Sequence, residues 1–280
     1  MGRRMAGTSE RTRPLKYLFD HLSTLEAAMT GKHLLVLLDF DGTLAPIAPT
    51  PGEAMLHGEA RRELGRLAES SACSIGVISG RALSDVRAKV GIAGITYVGN
   101  HGIEMVRPNE APMNIALPQF RSTLERLKEE LSMRLEHFPG AIIEDKEHSL
   151  AIHYRMVGEE DRPRVKAIVH ETVEAFGGER EIKLGIGAMV LELRPPIGCD
   201  KGTIVSSLLQ SEAPCGGGSV FAIYLGDDVT DEDAFKAMRG KGWGILVGAP
   251  RISYAEYYLN DPGEVRALLH FLVGRCGKAT

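Results

Sequence analysis

His33-Leu34-Leu35-Val36-Leu37-Leu38-Asp39-Phe40-Asp41-Gly42-Thr43-Leu44 joins an apolar run of strand length to two carboxylates and a glycine turn. A run that is apolar along its whole length reads as a strand buried on both faces, as in a parallel sheet. The acidic loop at its end then lies where such a sheet places its binding crevice. Further along, residues 60–68 read as a helix. Residues 73–78 read as a second strand, followed by Ser79-Gly80-Arg81 and a helix to Val90, and residues 96–99 as a third strand. This alternation predicts a parallel sheet covered by helices. Before the quoted run, residues 14–29 carry Leu15, Leu18, Phe19, Leu22 and Leu25 at helical spacing, which predicts an amphipathic helix.

After residue 100 the pattern changes. Pro108, Pro112 and Pro118 interrupt the chain. A charged helix is predicted over 119–137, strands over 141–146 and 149–154, a second helix over 162–176 and strands over 181–184 and 189–194. Helix-strand-strand, twice, describes a small α+β domain, which Pro195-Pro196 would end. A helix from Lys201, the loop Gly216-Gly217-Gly218, a strand over 220–225, an acidic turn, a helix over 232–238, a strand over 243–247 and a helix from Pro262 follow. The expected fold is therefore an α/β, Rossmann-like parallel-sheet core with an inserted α+β cap domain. The core takes residues 14–107 and 197–280, the cap 108–196, and residues 1–13 form a disordered tail.

Composition narrows the function. The 280 residues carry a formal charge of −4, so nothing supports a nucleic-acid or membrane-surface role. No apolar run approaches the ~20 residues of a spanning helix. Cys73, Cys199, Cys215 and Cys276 form no CxxC pair and read as reduced cysteines of a cytoplasmic protein. The arginines before residue 14 precede no apolar signal core. The expected partner is a small molecule, met by a monomer.

A second acidic cluster, Asp227-Asp228-Val229-Thr230-Asp231, also follows a strand directly. Either cluster alone reads as a turn. Two of them at one sheet edge pile up negative charge that needs a cation, and Mg²⁺ is the usual ion where carboxylates and a phosphate share a site. A carboxylate can itself attack phosphorus and form an aspartyl-phosphate. Asp39, at the strand end, is the candidate nucleophile, and Asp41 the group that protonates the leaving oxygen. The Ser79 hydroxyl and the Gly80 N–H suit a phosphoryl oxygen, although a lone Ser-Gly is more often a helix cap. Lys201 opens a helix, where the dipole disfavours a cation, unless carboxylates and a phosphate hold it there.

Together these residues resemble the four motifs of the haloacid dehalogenase superfamily of phosphatases: Asp39-Phe40-Asp41-Gly42-Thr43, Ser79, Lys201, and Gly226 through Asp231. The resemblance implies Asp39 as nucleophile, Asp41 as acid and base, and Ser79, Gly80 and Lys201 on the phosphoryl group. It implies Mg²⁺ on Asp39, the backbone carbonyl of Asp41, and Asp227. Asp231 would orient waters or Lys201, with Asp228 in a supporting place. Within the superfamily the chain is similar to trehalose-6-phosphate phosphatases. The likeness rests on Gly99 through Glu104, Glu144-Asp145-Lys146, Leu150 through Arg155, and Glu192-Leu193-Arg194-Pro195 before Asp200-Lys201-Gly202. It implies hydrolysis of trehalose 6-phosphate to trehalose and phosphate, with Arg81, His101, Glu144, Lys146, Arg155 and Glu192 binding substrate. Ala188 stands where the family commonly has a lysine, so one sugar contact is missing or comes from Lys183 or Arg155. Another glycosyl phosphate (sucrose 6-phosphate, glucosylglycerol phosphate or mannosyl-3-phosphoglycerate) is the alternative substrate.

Overall fold

A computed structural model of the chain describes residues 14–114, 118–196, 200–212 and 218–276. The expected tail at 1–13, the resumption of the core at 197, Cys199, Cys215 and most of the triglycine loop lie outside the described residues. The elements in chain order are β1 (Lys16–Tyr17), α1 (Leu22–Met29), β2 (His33–Leu38), α2 (Gly58–Ala68), β3 (Cys73–Ile78), α3 (Leu83–Val90), β4 (Thr96–Gly99), β5 (Glu104–Val106) and β6 (Met113–Asn114). Then come α4 (Pro118–Leu135), β7 (Ile142–Asp145), β8 (Leu150–His153), α5 (Arg162–Ala175), β9 (Lys183–Gly187) and β10 (Val190–Arg194). The last are α6 (Lys201–Ser211), β11 (Val220–Gly226), α7 (Glu232–Met238), β12 (Gly242–Val247), β13 (Tyr257–Leu259) and α8 (Pro262–Cys276).

The large sheet runs β1-β13-β12-β11-β2-β3-β4-β5-β6. It is parallel from β1 to β4, and β5 and β6 extend it antiparallel. Its central strands divide their side chains by the period of two. Leu34, Val36 and Leu38 of β2, with Phe221, Ile223 and Leu225 of β11, pack on the face covered by α2 and α8. Leu35, Leu37, Ala222 and Tyr224 pack on the other, with α6 and α7. Both faces are dry, which is why these strands are apolar throughout.

The small sheet, β7-β8-β10-β9, is antiparallel and has its own core. Leu150, Ile152, Leu191 and Leu193 meet Leu124, Leu127 and Leu131 of α4 and Val165, Val169 and Val173 of α5. Helices cover one face of this sheet. Strand alternation sends the intervening residues, Glu192 and Arg194 among them, to the other.

Two expectations change. The helix expected over 14–29 begins only at Leu22, because Lys16 and Tyr17 pair with Tyr257 and Tyr258 at the sheet edge and a 3-10 turn, Leu18–His21, follows. The division expected after residue 107 meets the β5–β6 hairpin, which keeps the chain on the large sheet to Asn114. Among the described residues, no helix is long and apolar enough to cross a membrane.

Candidate active site

Three adjacent strand ends make the floor. β2 lies between β11 and β3, where the chain's path across the sheet reverses. The ladder runs one residue past β2 and β3: Asp39 N donates to Leu225 O and Ser79 N to Val98 O, both at 2.9 Å. Asp39, Ser79 and Asp227 thus emerge side by side. After Asp39 the chain turns tightly, with Gly42 N on Ala45 O at 2.7 Å and Leu44 N on Phe40 O at 3.0 Å. Gly42 has φ +84, and a β-carbon there would overlap the Asp227 carboxylate, so the turn needs glycine on both counts.

Lys201 reaches this floor from the first position of α6. Asp200 caps that helix, accepting from Thr203 N at 2.7 Å, while Thr203 Oγ1 accepts from Asp200 N at 3.0 Å. The ammonium is buried between Asp39 Oδ1 at 2.8 Å and Asp231 Oδ1 at 2.6 Å. Burial works against its charge, but Asp231 and Asp39 outweigh this and hold it well above the ordinary lysine range. Asp231 Oδ1 also accepts from Tyr224 Oη at 2.5 Å, and its Oδ2 from the N–H groups of Asp227 and Asp228 at 3.0 Å each. With both oxygens engaged, Asp231 orients Lys201.

The same floor fits a hard cation. Asp39, Asp227 and Asp231 bring carboxylate oxygens within 4.8 Å of one another. Asp227 Oδ1 is buried and has no hydrogen-bond partner among the described residues. Burial first, then Asp231, pushes the Asp227 carboxyl up to about 7. Burial also pushes Asp39 well up, against the pull of Lys201. An all-oxygen donor set carrying this much unrelieved negative charge suits Mg²⁺. Asp39 and Asp227 are the carboxylates that would hold it, since Asp231 is spent on Lys201.

Asp41 is not free. Arg81 Nε donates to its Oδ2 and Arg81 Nη2 to its Oδ1, both at 2.6 Å. The Ser79 hydroxyl accepts from Arg81 N at 3.1 Å, so it serves the turn as well as facing the cavity.

The small sheet forms the opposite wall. Along β7, Ile143 packs inward, Asp145 turns back to Arg121 and Lys128 of α4, and Glu144 and Lys146 face the cavity. Lys146 Nζ donates across to Gly80 O at 2.9 Å and to Glu192 Oε1 at 2.8 Å. Glu192 also pairs with His101, whose ring leaves no room for a β-carbon at Gly80. Burial opposes the Glu192 charge, but His101, Lys146 and Arg194 hold its carboxyl well below the usual range. Asn100 Nδ2 donates to Lys146 O at 3.0 Å, and Ser149 Oγ to Asn100 Oδ1 at 3.2 Å. Glu144 pairs with His153 at 2.8 Å, and Arg155 Nη2 donates to Ala188 O at 2.9 Å.

Every residue expected in the site lines this one cavity except Asp231, which lies buried behind Lys201. Lys183, one of the two residues considered in place of the lysine absent at Ala188, is exposed on β9 and does not line it. Arg155 does. His153 and Arg194 line it as well. Arg194 was legible as the partner of Glu192 two residues away on one strand face, and Asn100 lies within the Gly99–Glu104 stretch; Asp85, which accepts from Arg81 Nη1 at 2.7 Å, carried no such local signal.

The trehalose-phosphatase family model matches residues 37–262. The chain belongs to that family. As a member it is a magnesium-dependent phosphomonoester hydrolase of the haloacid dehalogenase superfamily. It is 36% identical to trehalose 6-phosphate phosphatase RA3 of Zea mays over 269 residues, covering 90% of this chain and 73% of that one. It is 34% identical to trehalose-phosphate phosphatase B of Arabidopsis thaliana over 258 residues, 88% of this chain and 68% of the other. The C-terminal domain of the C. albicans trehalose-6-phosphate phosphatase shares the fold, with a TM-score of 0.81 at 24% identity over 94% of this chain and 98% of that one.

Proposed function

We propose that this family member hydrolyses trehalose 6-phosphate to trehalose and phosphate, with Asp39 as the nucleophile. The observation that carries the reading is that Lys146 and Glu192 of the wall meet Gly80 and His101 of the floor. Sugar-reading groups and phosphate-handling groups therefore share one enclosure, as a polyhydroxyl phosphate ester requires.

Asp39 attacks phosphorus as the bond to the sugar oxygen breaks, and Asp41 gives that oxygen a proton. Asp41 then takes a proton from water, which attacks the aspartyl-phosphate, releases phosphate and restores Asp39. Ser79, the Gly80 N–H and Lys201 bind the phosphoryl oxygens, and Asp231 keeps Lys201 aimed. Asp39, Asp227 and the Asp41 carbonyl would hold Mg²⁺, which would supply positive charge to offset that of the phosphoryl group. Asp228 supports the second acidic loop by capping it at Val229 N, at 2.6 Å. On the wall, Glu144, Lys146, Arg155 and Glu192, with Arg81 and His101 below, take the sugar hydroxyls.

Ala188 favours a second reading, another glycosyl phosphate, because the wall lacks the family's lysine there. Phosphate release from trehalose 6-phosphate, sucrose 6-phosphate, glucosylglycerol phosphate and mannosyl-3-phosphoglycerate separates the two. The expected result is the highest kcat/KM for trehalose 6-phosphate, lost in EDTA and restored by Mg²⁺. A higher value for another ester overturns the substrate. Full activity in protein shown to be metal-free by elemental analysis overturns the chemistry. The cytoplasm is the proposed place of work, on the reading of widely spaced cysteines without a CxxC pair. Sedimentation at the mass of one chain tests the expected monomer.

A further inference from the structure

Arg81 stands between two carboxylates. Its Nε and Nη2 take both oxygens of Asp41, and its Nη1 donates to Asp85 Oδ2 at 2.7 Å. The guanidinium carbon lies 5.3 Å from the centroid of the Phe40 ring. The Arg81 side chain is 7% exposed, whereas those of Asp41 and Asp85 are 41% and 40% exposed. Asp85 occupies the first turn of α3, where any acid is favoured by the helix dipole. A dipole role alone, however, would not require it to take the third donor of a buried cation.

We infer that Asp85 is a positioning residue for Asp41, acting through Arg81. The inference rests on Asp41 being the group that protonates the leaving oxygen. Both Asp41 oxygens accept from one guanidinium, so the aim of the acid follows the position of that guanidinium. Asp85 and the Phe40 ring hold the guanidinium from two sides, and Asn100 N, donating to Arg81 O at 2.7 Å, fixes the backbone that carries it. Without Asp85 the guanidinium keeps Asp41 as its one ion-pair partner among the described residues and swings with it, so the acid loses its aim at the leaving oxygen. In the step concerned, the proton passes from Asp41 to the leaving oxygen as the phosphorus–oxygen bond breaks and the bond to Asp39 forms.

The test is kcat/KM of Asp85→Ala on phenyl phosphate and on p-nitrophenyl phosphate. This constant covers the steps up to phosphoryl transfer. p-Nitrophenolate leaves without a proton, whereas phenolate, with a conjugate acid pKa of about 10, gains from one. The expected result is a fall for phenyl phosphate at least ten-fold greater than that for p-nitrophenyl phosphate. Equal falls, or no fall for either ester, overturn the inference and return Asp85 to a structural role. Asp85→Asn, which keeps an acceptor oxygen but no charge, carries the same test if the alanine variant does not fold. Neither ester contains a sugar, so a failure of the trehalose 6-phosphate reading leaves this result standing.

Discussion

The floor of the cavity and its wall are built by different means. On the floor, Asp39, Ser79 and Asp227 follow directly on adjacent buried strands, and Lys201 binds Asp39 and Asp231 of the same sheet. On the wall, Glu144, Lys146 and Glu192 alternate with residues of a separate core, and Lys146 and Glu192 find partners across the gap at Gly80 and His101. The floor is complete within one unit; the wall is complete only when two units meet. Loss of the floor's nucleophile or metal-holding carboxylates should therefore damage every ester alike, while wall substitutions should discriminate between sugar and sugar-free esters.

The largest effect belongs to Asp39→Asn. It keeps the size and the contact with Lys201 but removes the attacking carboxylate, so kcat should fall by at least ~10⁴ on both trehalose 6-phosphate and p-nitrophenyl phosphate. A near-normal rate on either ester in a stopped assay breaks the comparison at its strongest point. Gly42→Ala comes next. The backbone at φ +84 resists a side chain, and the added carbon displaces Asp227. A misplacement of about 1 Å can cost about 10²-fold, again on both esters, and the Mg²⁺ concentration for half-maximal rate should rise. An unchanged Mg²⁺ titration would remove Asp227 from the metal site.

Glu192→Gln should act selectively. A charge-assisted hydrogen bond contributes about 1.5–3 kcal/mol, or one to two powers of ten in kcat/KM, on trehalose 6-phosphate and much less on p-nitrophenyl phosphate. Equal losses would mean that Glu192 holds the wall on the floor rather than reading sugar. The smallest effect is expected at Asp145, on the helix side of the wall. Arg121 holds its carboxyl below the ordinary aspartate range. The pair therefore stabilises the fold above the unfolded pKa of about 3.9, and that contribution fades as pH falls below it. Arg121 is partly exposed, so Asp145→Asn should lower Tm by no more than about 3 °C at neutral pH, and by progressively less as pH falls below about 3.9. A loss of Tm that stays undiminished in acid would place the cause in packing.

The same contrast explains what could be read from the chain before its fold was known. β2, β3, β4, β11 and the cap helices announce themselves by local pattern, and both acidic loops sit directly after apolar runs. β1 and β13 do not, because Lys16 and Tyr17 become strand only by pairing with Tyr257 and Tyr258, some 240 residues away, and the leucines around them also suit a helix. β5 and β6 are too short to show a period. At the site, motif order indicated which residues gather, since each is fixed at a strand or helix end. It did not show that Asp41 would be held by Arg81, or Glu192 by His101, because those partners meet only through the folded sheet and its closed cap.

The central claim is that phosphate passes through Asp39. Enzyme mixed with trehalose 6-phosphate labelled on phosphorus, with Mg²⁺, acid-quenched within the first turnover and reduced with borohydride, tests it directly. The account predicts label on the protein in the first turnover, and conversion of Asp39 to homoserine in the peptide found by mass spectrometry. Reduction at Asp41, Asp227 or any other residue, with Asp39 unchanged, would contradict it.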